Sequence, residues 1–498
     1  MKQTYCNPLS VENIPSGRPL DLNQTGVKDL RSVRDYRSIS DPSVVYHDGK
    51  WILYPSYAVA YVSEDFVHWK HVDIGIPDLR YSPAVVQFRG KWYLSGHGSP
   101  DMYVSDSPLG PFARCGVMED RHGNTLTVPD GCYLVDGDRL YFYWCATARP
   151  QRHEDVEWVI GTMGAECDPD APWKLITEPV LLNQFDPDAV WQRFGEYNQN
   201  ERLGWVEGQW MKKINGRYYL MCSGSGTRFS SYANGIFVSD EGPLSGFRAQ
   251  KNHNPLTEKR SGLLRGAGHG SIVEGPAHTL WVFYTSIFCY NHVFERRIGM
   301  DPLGIDENGE LFCPAVTDTP QFAPGVLPHP ERGNDAGLLP LTFMQVPEVS
   351  SAVPGRDGIY AFDESVLTWW QPQACDSEKT ITVPLDAELG YRVEAIRIIW
   401  RDIGMEALDG IMPGPFRYTV EYQAPRSGVW ETLVDASDND KDLCIDYRQV
   451  RAVTASALRL RILGSPLGIE PGLCSFTAFG KCVHQKQKEV ELHENGEG

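Results

Sequence analysis

Short apolar runs separated by glycine turns recur along the first two thirds of the chain. In each copy, alternating apolar and polar residues lead to a tight turn at or near Gly, and an aromatic-rich run follows. A period of two is typical of β-strands, and Asp-Gly or Asn-Gly turns are strong hairpin signals. The copies begin at Ser40, Ser82, Val128, Trp205 and Gly268. No amphipathic segment of helical length stands out, so the pattern predicts an all-β protein.

The repeat itself predicts a particular all-β architecture. A third strand-like run follows the hairpin in several copies, as in AYVSEDFVHWK, MYVSDSPLGPF and GIFVSDEGPLSGF. Repeats of three or four strands can bury their faces only against neighbouring repeats, as the blades of a β-propeller do. Five copies therefore predict a five-bladed β-propeller. The long insertion between the third and fourth copies is expected to form loops over one face.

A second all-β domain is predicted beyond the repeats. Proline and glycine become frequent and strand signals become rare, and then runs such as VEAIRIIW, FRYTVEYQ and ALRLRIL restore strong β character. These runs fit a β-sandwich of the jelly-roll kind. We predict a propeller over residues 1–325, a linker over 326–358, a β-sandwich over 359–483 and a disordered tail over 484–498.

Composition narrows the possible partners. The 498 residues carry a formal net charge of -19, which disfavours nucleic acids and anionic membranes as partners and suits a neutral glycan. The abundant Trp and Tyr can stack on sugar rings. The first residues contain no apolar leader, so we expect a cytoplasmic protein, although a leader removed before this start would change that expectation. The 12 cysteines form no CxxC pair and are predicted to be free thiols.

Three carboxylates occupy corresponding positions in three of the repeats. Asp41 lies eight residues before the hairpin Gly49, Asp130 lies seven before Gly137, and Glu207 lies nine before Gly216. Each falls at the start of the innermost strand of a blade, and these strands line the central channel of a propeller. The three side chains are therefore expected to meet in one pocket.

Clustered carboxylates suggest catalysis. A single Asp before a strand is more often a turn former or a cap, but like charges brought together cost energy and raise at least one pKa. Glycoside hydrolysis needs such an arrangement, because one carboxylate acts as base and one carboxylic acid donates a proton. Three equivalent positions favour this interpretation over the turn-former alternative.

The motifs around these residues, taken together, resemble glycoside hydrolase family 43 over roughly residues 6–325. They are SDPSVV, VPDGCYL, WVEGQWMKKINGRYYL and GHGSIVEGP. The resemblance implies a five-bladed propeller and hydrolysis with inversion. By this likeness Asp41 is the general base, Glu207 is the general acid, and Asp130 orients Glu207 and raises its pKa. Glu207 is followed by Gly208-Gln209, where the common family motif has Gly-Pro.

Other residues are candidates for binding a cation or the sugar, and each also has a structural alternative. By the resemblance, His269 lies under the site, near a water-bound central cation or in its place, so a structural calcium ion is possible although no cofactor is required. The alternative for His269 is an interior hydrogen-bonded histidine. The candidate sugar-binding residues, each of which could instead serve packing or a salt bridge, are Arg37, Tyr57, His97, Trp144, Ser225, Arg296 and Arg297.

The second domain resembles the discoidin or coagulation factor 5/8 C-type fold over about residues 359–483. Domains of that kind often bind sugars through loops at one end, and Trp369 and Trp370 are candidates for this contact. A purely structural role for the domain is an equal alternative.

Three classes of function follow from these observations. The leading one is an exo-acting, inverting glycosidase on plant-type oligosaccharides. The resemblance favours α-L-arabinofuranosidase first, then β-xylosidase, with another furanosidase such as a β-galactofuranosidase also open. The second class is a non-catalytic glycan-binding propeller, and the third is a scaffold for protein partners. The converging carboxylates argue against both of the non-catalytic classes.

Overall fold

The structure is a computed structural model, and it describes residues 2–16, 35–76, 79–148, 158–289, 292–385 and 391–482. The described chain is almost entirely β-strand. Its helices are single 3₁₀ turns at Val190–Gln192, Glu196–Asn198, Pro276–His278, Pro330–Arg332, Gly358–Ala361 and Ala407–Asp409. Among the described residues there is no helix with the length and apolar character required to cross a membrane.

Five groups of antiparallel strands follow one another as the blades of a five-bladed β-propeller, which confirms the predicted fold. Single parallel pairs, Ile160 with Val206 and Ala233 with Ala267, connect the third, fourth and fifth groups. The first blade contains Ser43–His47, Lys50–Tyr54, Val59–Ser63 and Lys70–Asp73. The second contains Ala84–Phe88, Lys91–Ser95, Asp101–Ser105 and Ala113–Val117. The third contains Gly131–Asp136, Arg139–Ala148, Trp158–Asp168, Ala171–Leu175 and Val180–Gln184. The fourth contains Val206–Ile214, Arg217–Gly224, Ala233–Ser239 and Arg248–Ala249. The fifth contains Arg265–Glu274, Leu280–Ile287, Arg296–Ile305 and Leu311–Phe312.

Apolar side chains pack between neighbouring blades. Val85 and Val86 are adjacent in one strand, and their side chains point to opposite faces of the sheet. Val85 packs in a cluster with Ile52 of the first blade, whereas Val86 packs in a cluster with Phe142 of the third blade. Similar clusters join the third blade to the fourth and the fourth to the fifth. The alternating pattern of the sequence therefore supplies an apolar face to each neighbour.

The first and fifth blades close the ring. The backbone N–H of Val44 donates to the Ser271 hydroxyl at 3.1 Å. The ring of Phe66 lies 5.4 Å from the ring of Phe283 in an edge contact. Closure brings the starts of all five innermost strands to the same end of the central channel.

The other compact unit is a β-sandwich of two sheets. One sheet contains, in spatial order, Leu339–Pro340, Glu470–Cys482, Tyr391–Ile403 and Ile445–Ala455. The other contains Glu348–Val349, Thr380–Pro384, Ala457–Gly464, Arg417–Gln423 and Trp430–Ala436. An apolar core that includes Trp370, Trp400, Phe416 and Phe476 is almost completely buried.

The limits of the two units differ from the predicted domain boundaries. Of the described residues, those within 1–37, 318–323 and 335–498 form the sandwich unit, whereas those within 38–317 and 324–334 form the propeller unit. The N-terminal strand Thr4–Tyr5 pairs with Gln321–Phe322, and the predicted linker supplies an edge strand to each sheet of the sandwich. Strands of two residues are too short to show a hydrophobic period, which is why the sequence pattern missed them. The tail predicted at 484–498 lies outside the described residues.

The two candidate sugar-binding tryptophans of the sandwich are enclosed by protein. Trp370 is 0% exposed. The guanidinium carbons of Arg356 and Arg401 lie 3.3 and 3.9 Å from the centre of the Trp369 ring. Two cations that close cannot share one face of a ring, so each covers one face. Neither indole offers a free face for a sugar, which favours the structural alternative for these residues.

Candidate active site

A left-handed backbone residue lies just before or within the innermost strand of every blade. The residues and their φ angles are Asp41 (52°), Ser82 (46°), Asp130 (41°), Gly208 (63°) and His269 (29°). Positive φ is uncommon outside glycine and costs energy, so it persists where the surrounding structure enforces it, often at functional sites. The left-handed residue is itself an acid at Asp41 and Asp130, and in the fourth blade it directly follows the acid Glu207.

Asp41 lies in a buried, positively charged environment. The two terminal nitrogens of Arg296 are each 3.4 Å from an oxygen of its carboxylate, and His269 Nδ1 is 3.4 Å from Oδ1. The Ser56 hydroxyl donates to Oδ2, and the Asp41 N–H donates to the Thr285 hydroxyl at 2.7 Å. Burial alone would raise the pKa of Asp41, but the charges of Arg296 and His269 hold it below its usual value. Asp41 is therefore ionised at neutral pH.

Asp130 is also buried and ionised, but its partners differ from those of Asp41. Its Oδ1 lies 2.8 Å from His97 Nδ1, and its Oδ2 accepts the backbone N–H of Gly208 at 3.2 Å. Burial alone would raise the pKa of Asp130, but the charges of His269 and His97 and the Gly208 hydrogen bond depress it well below its usual value. The carboxylate thus holds the peptide group that follows Glu207.

Glu207 has the opposite protonation behaviour. The register of its strand shifts between Glu207 and Trp210, and this bulge turns the side chain toward the centre. The Tyr232 hydroxyl donates to Oε1 at 2.8 Å. Burial and the negative charge of Asp130 raise the pKa of Glu207 to about 7. Glu207 therefore holds a proton for much of its time at neutral pH.

His269 lies between the carboxylates as an interior hydrogen-bonded histidine. Its Nε2 is 3.2 Å from the Ser82 hydroxyl, while Nδ1 is 3.4 Å from Asp41 and 3.9 Å from Asp130. Within the described residues, no group of three or more His, Cys, Asp and Glu side chains is arranged to hold a metal ion. A cation near His269 would need water or backbone ligands.

The family model for glycosyl hydrolases family 43 matches residues 35–311. That match covers more than half of the chain and contains all three carboxylates with their blades. The chain belongs to glycoside hydrolase family 43. It is a glycoside hydrolase of a family characterised by inversion of the anomeric configuration. Comparison with curated proteins found no match to the chain.

Several solved structures resemble this chain at low identity. A thermostable family-43 glycoside hydrolase is 22% identical, with 64% of this chain and 99% of that chain covered and a TM-score of 0.49. An α-L-arabinofuranosidase from Lactobacillus brevis is 18% identical, with 55% and 94% covered and a TM-score of 0.44. A xylan β-1,4-xylosidase from Bacillus halodurans C-125 is 12% identical, with 89% and 98% covered and a TM-score of 0.46.

The two neighbouring arginines of the family 43 propeller point in opposite directions. Arg296 contacts Asp41 and donates to the Thr227 hydroxyl at 2.7 Å. The guanidinium of Arg297 instead lies 4.8 Å from the centre of the Phe288 ring. Alternation along a strand separates them, and only Arg296 joins the carboxylate centre.

The four other propeller candidates lie in different surroundings. The half-buried His97 contacts Asp130, which raises the pKa of this imidazole although burial alone would lower it. Tyr57, also half-buried, has its ring 5.6 Å from the ring of Tyr81. Trp144 packs in the apolar cluster between the second and third blades. Ser225 is fully buried, and its hydroxyl accepts that of Ser231 at 3.1 Å. Packing is therefore the role that the surroundings of Trp144 and Ser225 support.

Arg37 belongs to the sandwich unit rather than to the family 43 propeller. Its guanidinium forms ion pairs of 2.7 Å with Asp402 and with Asp442. The salt-bridge alternative is thus the one observed, with the half-buried Asp402 and Asp442 as partners. The predicted sugar contact of Arg37 is not supported by this position, because its charge is neutralised within the sandwich.

Sequence reasoning missed three contributors to the site. The Ser56 hydroxyl donates to Asp41, and the Tyr232 hydroxyl donates to Glu207. The backbone N–H of Gly208 donates to Asp130. Ser56 lies two residues after the second strand of the first blade, Lys50–Tyr54, so its position was a usable signal. Tyr232 precedes the third strand of the fourth blade, and only the folded chain reveals its contact with Glu207.

Replacing Gly208 by Ala should distort the centre. A Cβ at Gly208 would lie 2.5 Å from the Ser223 hydroxyl and 2.7 Å from Cγ of His269, at a φ of +63°. Left-handed backbone costs a residue with a Cβ about 1–2 kcal/mol, and the collision displaces His269 as well. We expect Gly208→Ala to lower both the melting temperature and kcat.

Gly216→Ala is the matched control for this change. Gly216 has a φ of +83°, but nothing lies within 4 Å of the added Cβ. The Gly216→Ala variant should be less stable only because of its left-handed backbone, and it should keep the wild-type kcat. Equal activity losses in the two variants would contradict the crowding of His269 by a side chain at position 208.

Proposed function

We propose that this family 43 enzyme is an exo-acting glycosidase in which Asp41 is the general base and Glu207 is the general acid. The observation that carries the proposal is the opposite protonation of two carboxyl groups around one centre. Asp41 has a depressed pKa, whereas burial and Asp130 raise the pKa of Glu207 to about 7. Groups whose environments separate their pKa values in this way are suited to act as base and acid.

The proposed reaction is a single displacement. Asp41 accepts a proton from water as the water oxygen attacks the anomeric carbon. Glu207 gives its proton to the glycosidic oxygen as the bond to the leaving group breaks. Asp130 serves as the orienting residue, since it holds the Gly208 N–H and its charge favours the protonated form of Glu207. The net reaction adds water across the bond and inverts the anomeric carbon.

The substrate within this proposal is an α-L-arabinofuranoside on a plant-type oligosaccharide. The support is the sequence resemblance described above, together with a neutral substrate's compatibility with a chain of net charge -19. β-Xylosides and other furanosides such as β-galactofuranosides are the alternatives that the same resemblance offers. We also propose a cytoplasmic location, where the enzyme would trim imported oligosaccharides.

A panel of aryl glycosides tests the substrate. Wild-type protein is assayed on α-L-arabinofuranosides, β-D-xylopyranosides and β-D-galactofuranosides, beside Glu207→Ala and Asp41→Asn. The proposal expects the highest kcat/KM on the α-L-arabinofuranoside and a large loss in Asp41→Asn. In Glu207→Ala the loss should be large for poor leaving groups and smaller for good ones. A preference for xylosides would change the proposed substrate to a xyloside but would leave the acid and base assignments unchanged. Absence of hydrolysis across the panel would favour the glycan-binding alternative.

The pH profile tests the acid and base together. Asp41 must be ionised, and its depressed pKa places the acidic limb below the ordinary range of a carboxyl group. Glu207 must be protonated, so activity is lost as pH rises through about 7. We expect kcat/KM to be highest in mildly acidic buffer. A profile that keeps rising above neutral pH would contradict the assignment of Glu207 as the acid.

A further inference from the structure

Tyr232 is a buried tyrosine whose hydroxyl forms a hydrogen bond with Glu207. The residue precedes the strand Ala233–Ser239 and is 0% exposed. Its phenolic O–H donates to Oε1 of Glu207 at 2.8 Å. Burial keeps the pKa of Tyr232 well above its usual value, so the phenol remains a donor throughout the working pH range.

The position of Tyr232 is rigid. Its N–H donates to the Phe229 carbonyl at 3.0 Å, and its carbonyl accepts the Ala267 N–H at 2.7 Å. The ring lies against Gly268, where an added Cβ would be only 2.4 Å from the ring. A glycine at that position of the fifth blade therefore makes room for an aromatic ring from the fourth blade. The hydroxyl is held in place by both backbone and packing.

We propose that Tyr232 is a positioning residue, which keeps Oε1 of Glu207 as a hydrogen-bond acceptor and so directs the acidic proton to Oε2. A carboxylic acid carries its proton on one oxygen, and an oxygen that accepts a phenolic hydrogen bond is the less basic of the two. Oε2 is then the oxygen that donates to the leaving group. This inference rests on the proposed role of Glu207 as the acid.

The same hydrogen bond limits how far the pKa of Glu207 rises. Burial and the charge of Asp130 raise that pKa, while His269 and the hydrogen bonds from Tyr232 and Trp205 lower it. His97 and Cys145 also face the charge of Glu207 from the second and third blades. Without the Tyr232 donor the ionised form is less stable, so the pKa of Glu207 should rise further.

Tyr232→Phe removes the donor and keeps the ring. We expect the basic limb of the kcat/KM profile to move up by about one pH unit, because a hydrogen bond to a charged group is lost. We also expect kcat at the optimum to fall more for poor leaving groups than for good ones. A merely structural role would lower stability without moving the limb.

Tyr284→Phe is the matched control. Tyr284 is also buried, and its hydroxyl donates to the carboxylate of Asp301 at 2.8 Å, away from Glu207. Removing the Tyr284 hydroxyl breaks a comparable hydrogen bond, but it should leave the basic limb of the kcat/KM profile unchanged. A difluorinated tyrosine at position 232 gives the opposite sign, because a more acidic phenol is a stronger donor and should move the limb down.

A direct titration separates this inference from the proposed function. The side-chain carboxyl of Glu207 is followed by carbon-13 NMR, with its signal identified by its loss in Glu207→Gln. A higher pKa in Tyr232→Phe than in wild type supports the inference, and equal values overturn it. Wild-type protein that hydrolyses nothing overturns the proposed function instead, and the titration still decides the role of Tyr232.

Discussion

Glu207→Gln is expected to reduce kcat/KM by roughly 10²–10⁴-fold on a natural oligosaccharide, which is the usual contribution of a general acid. The amide keeps the size of the side chain but has no proton of suitable acidity to give. Aryl glycosides with good leaving groups need little protonation, so their loss should be much smaller. The basic limb near pH 7 should also disappear, because the group with a pKa of about 7 has been removed.

Steady-state kinetics across a series of leaving groups measures this effect. Glu274→Gln is the matched control, because Glu274 ends the innermost strand of the fifth blade and is exposed to solvent. It should keep wild-type kcat/KM and the wild-type pH profile. A loss in Glu207→Gln that is the same for every leaving group would falsify the assignment of Glu207 as the acid.

Asp41→Asn is expected to lower kcat by roughly 10²–10⁴-fold for every leaving group alike, since the base acts on water and not on the departing oxygen. The change should also reduce stability. Arg296 and His269 both face this carboxylate at 3.4 Å, and a neutral amide removes the negative charge that balances the buried Arg296 guanidinium. We expect a cost of about 1–3 kcal/mol in the free energy of unfolding.

Kinetics and urea unfolding of the same preparation test both parts of this expectation. Asp48→Asn is the control, because Asp48 lies in the exposed hairpin turn of the same repeat and Asn-Gly suits that turn equally well. It should change neither activity nor stability. Retained activity in Asp41→Asn, or a loss confined to poor leaving groups, would show that another group activates the water.

Much of the propeller could be predicted because its determinants are local. Each hairpin glycine and each alternating strand is specified within one repeat, and five such repeats close into five blades. Register against those glycines also identified Asp41, Asp130 and Glu207 as corresponding residues. The structure brings Asp130 against the peptide group after Glu207, and His269 within 3.9 Å of both aspartates.

The less local features were harder to predict. The division of the chain into units depends on pairing between residues far apart in sequence, such as Tyr5 with Gln321. Arg37 was expected among the sugar contacts because it lies four positions before Asp41, yet its charge is paired with Asp402 and Asp442 in the sandwich. Proximity along the chain is weak information where one unit ends and another begins.

The sequence by itself determined the family, the blades and the three carboxylates, because these follow from repeated short-range patterns. Only the tertiary structure decided how each carboxyl is protonated. That property depends on burial and on charges contributed by other blades, namely Arg296 and His269 for Asp41 and Asp130 for Glu207. The tertiary structure also revealed Tyr232. Its hydroxyl donates a hydrogen bond to Glu207, and Gly268 of the next blade leaves space for the tyrosine ring.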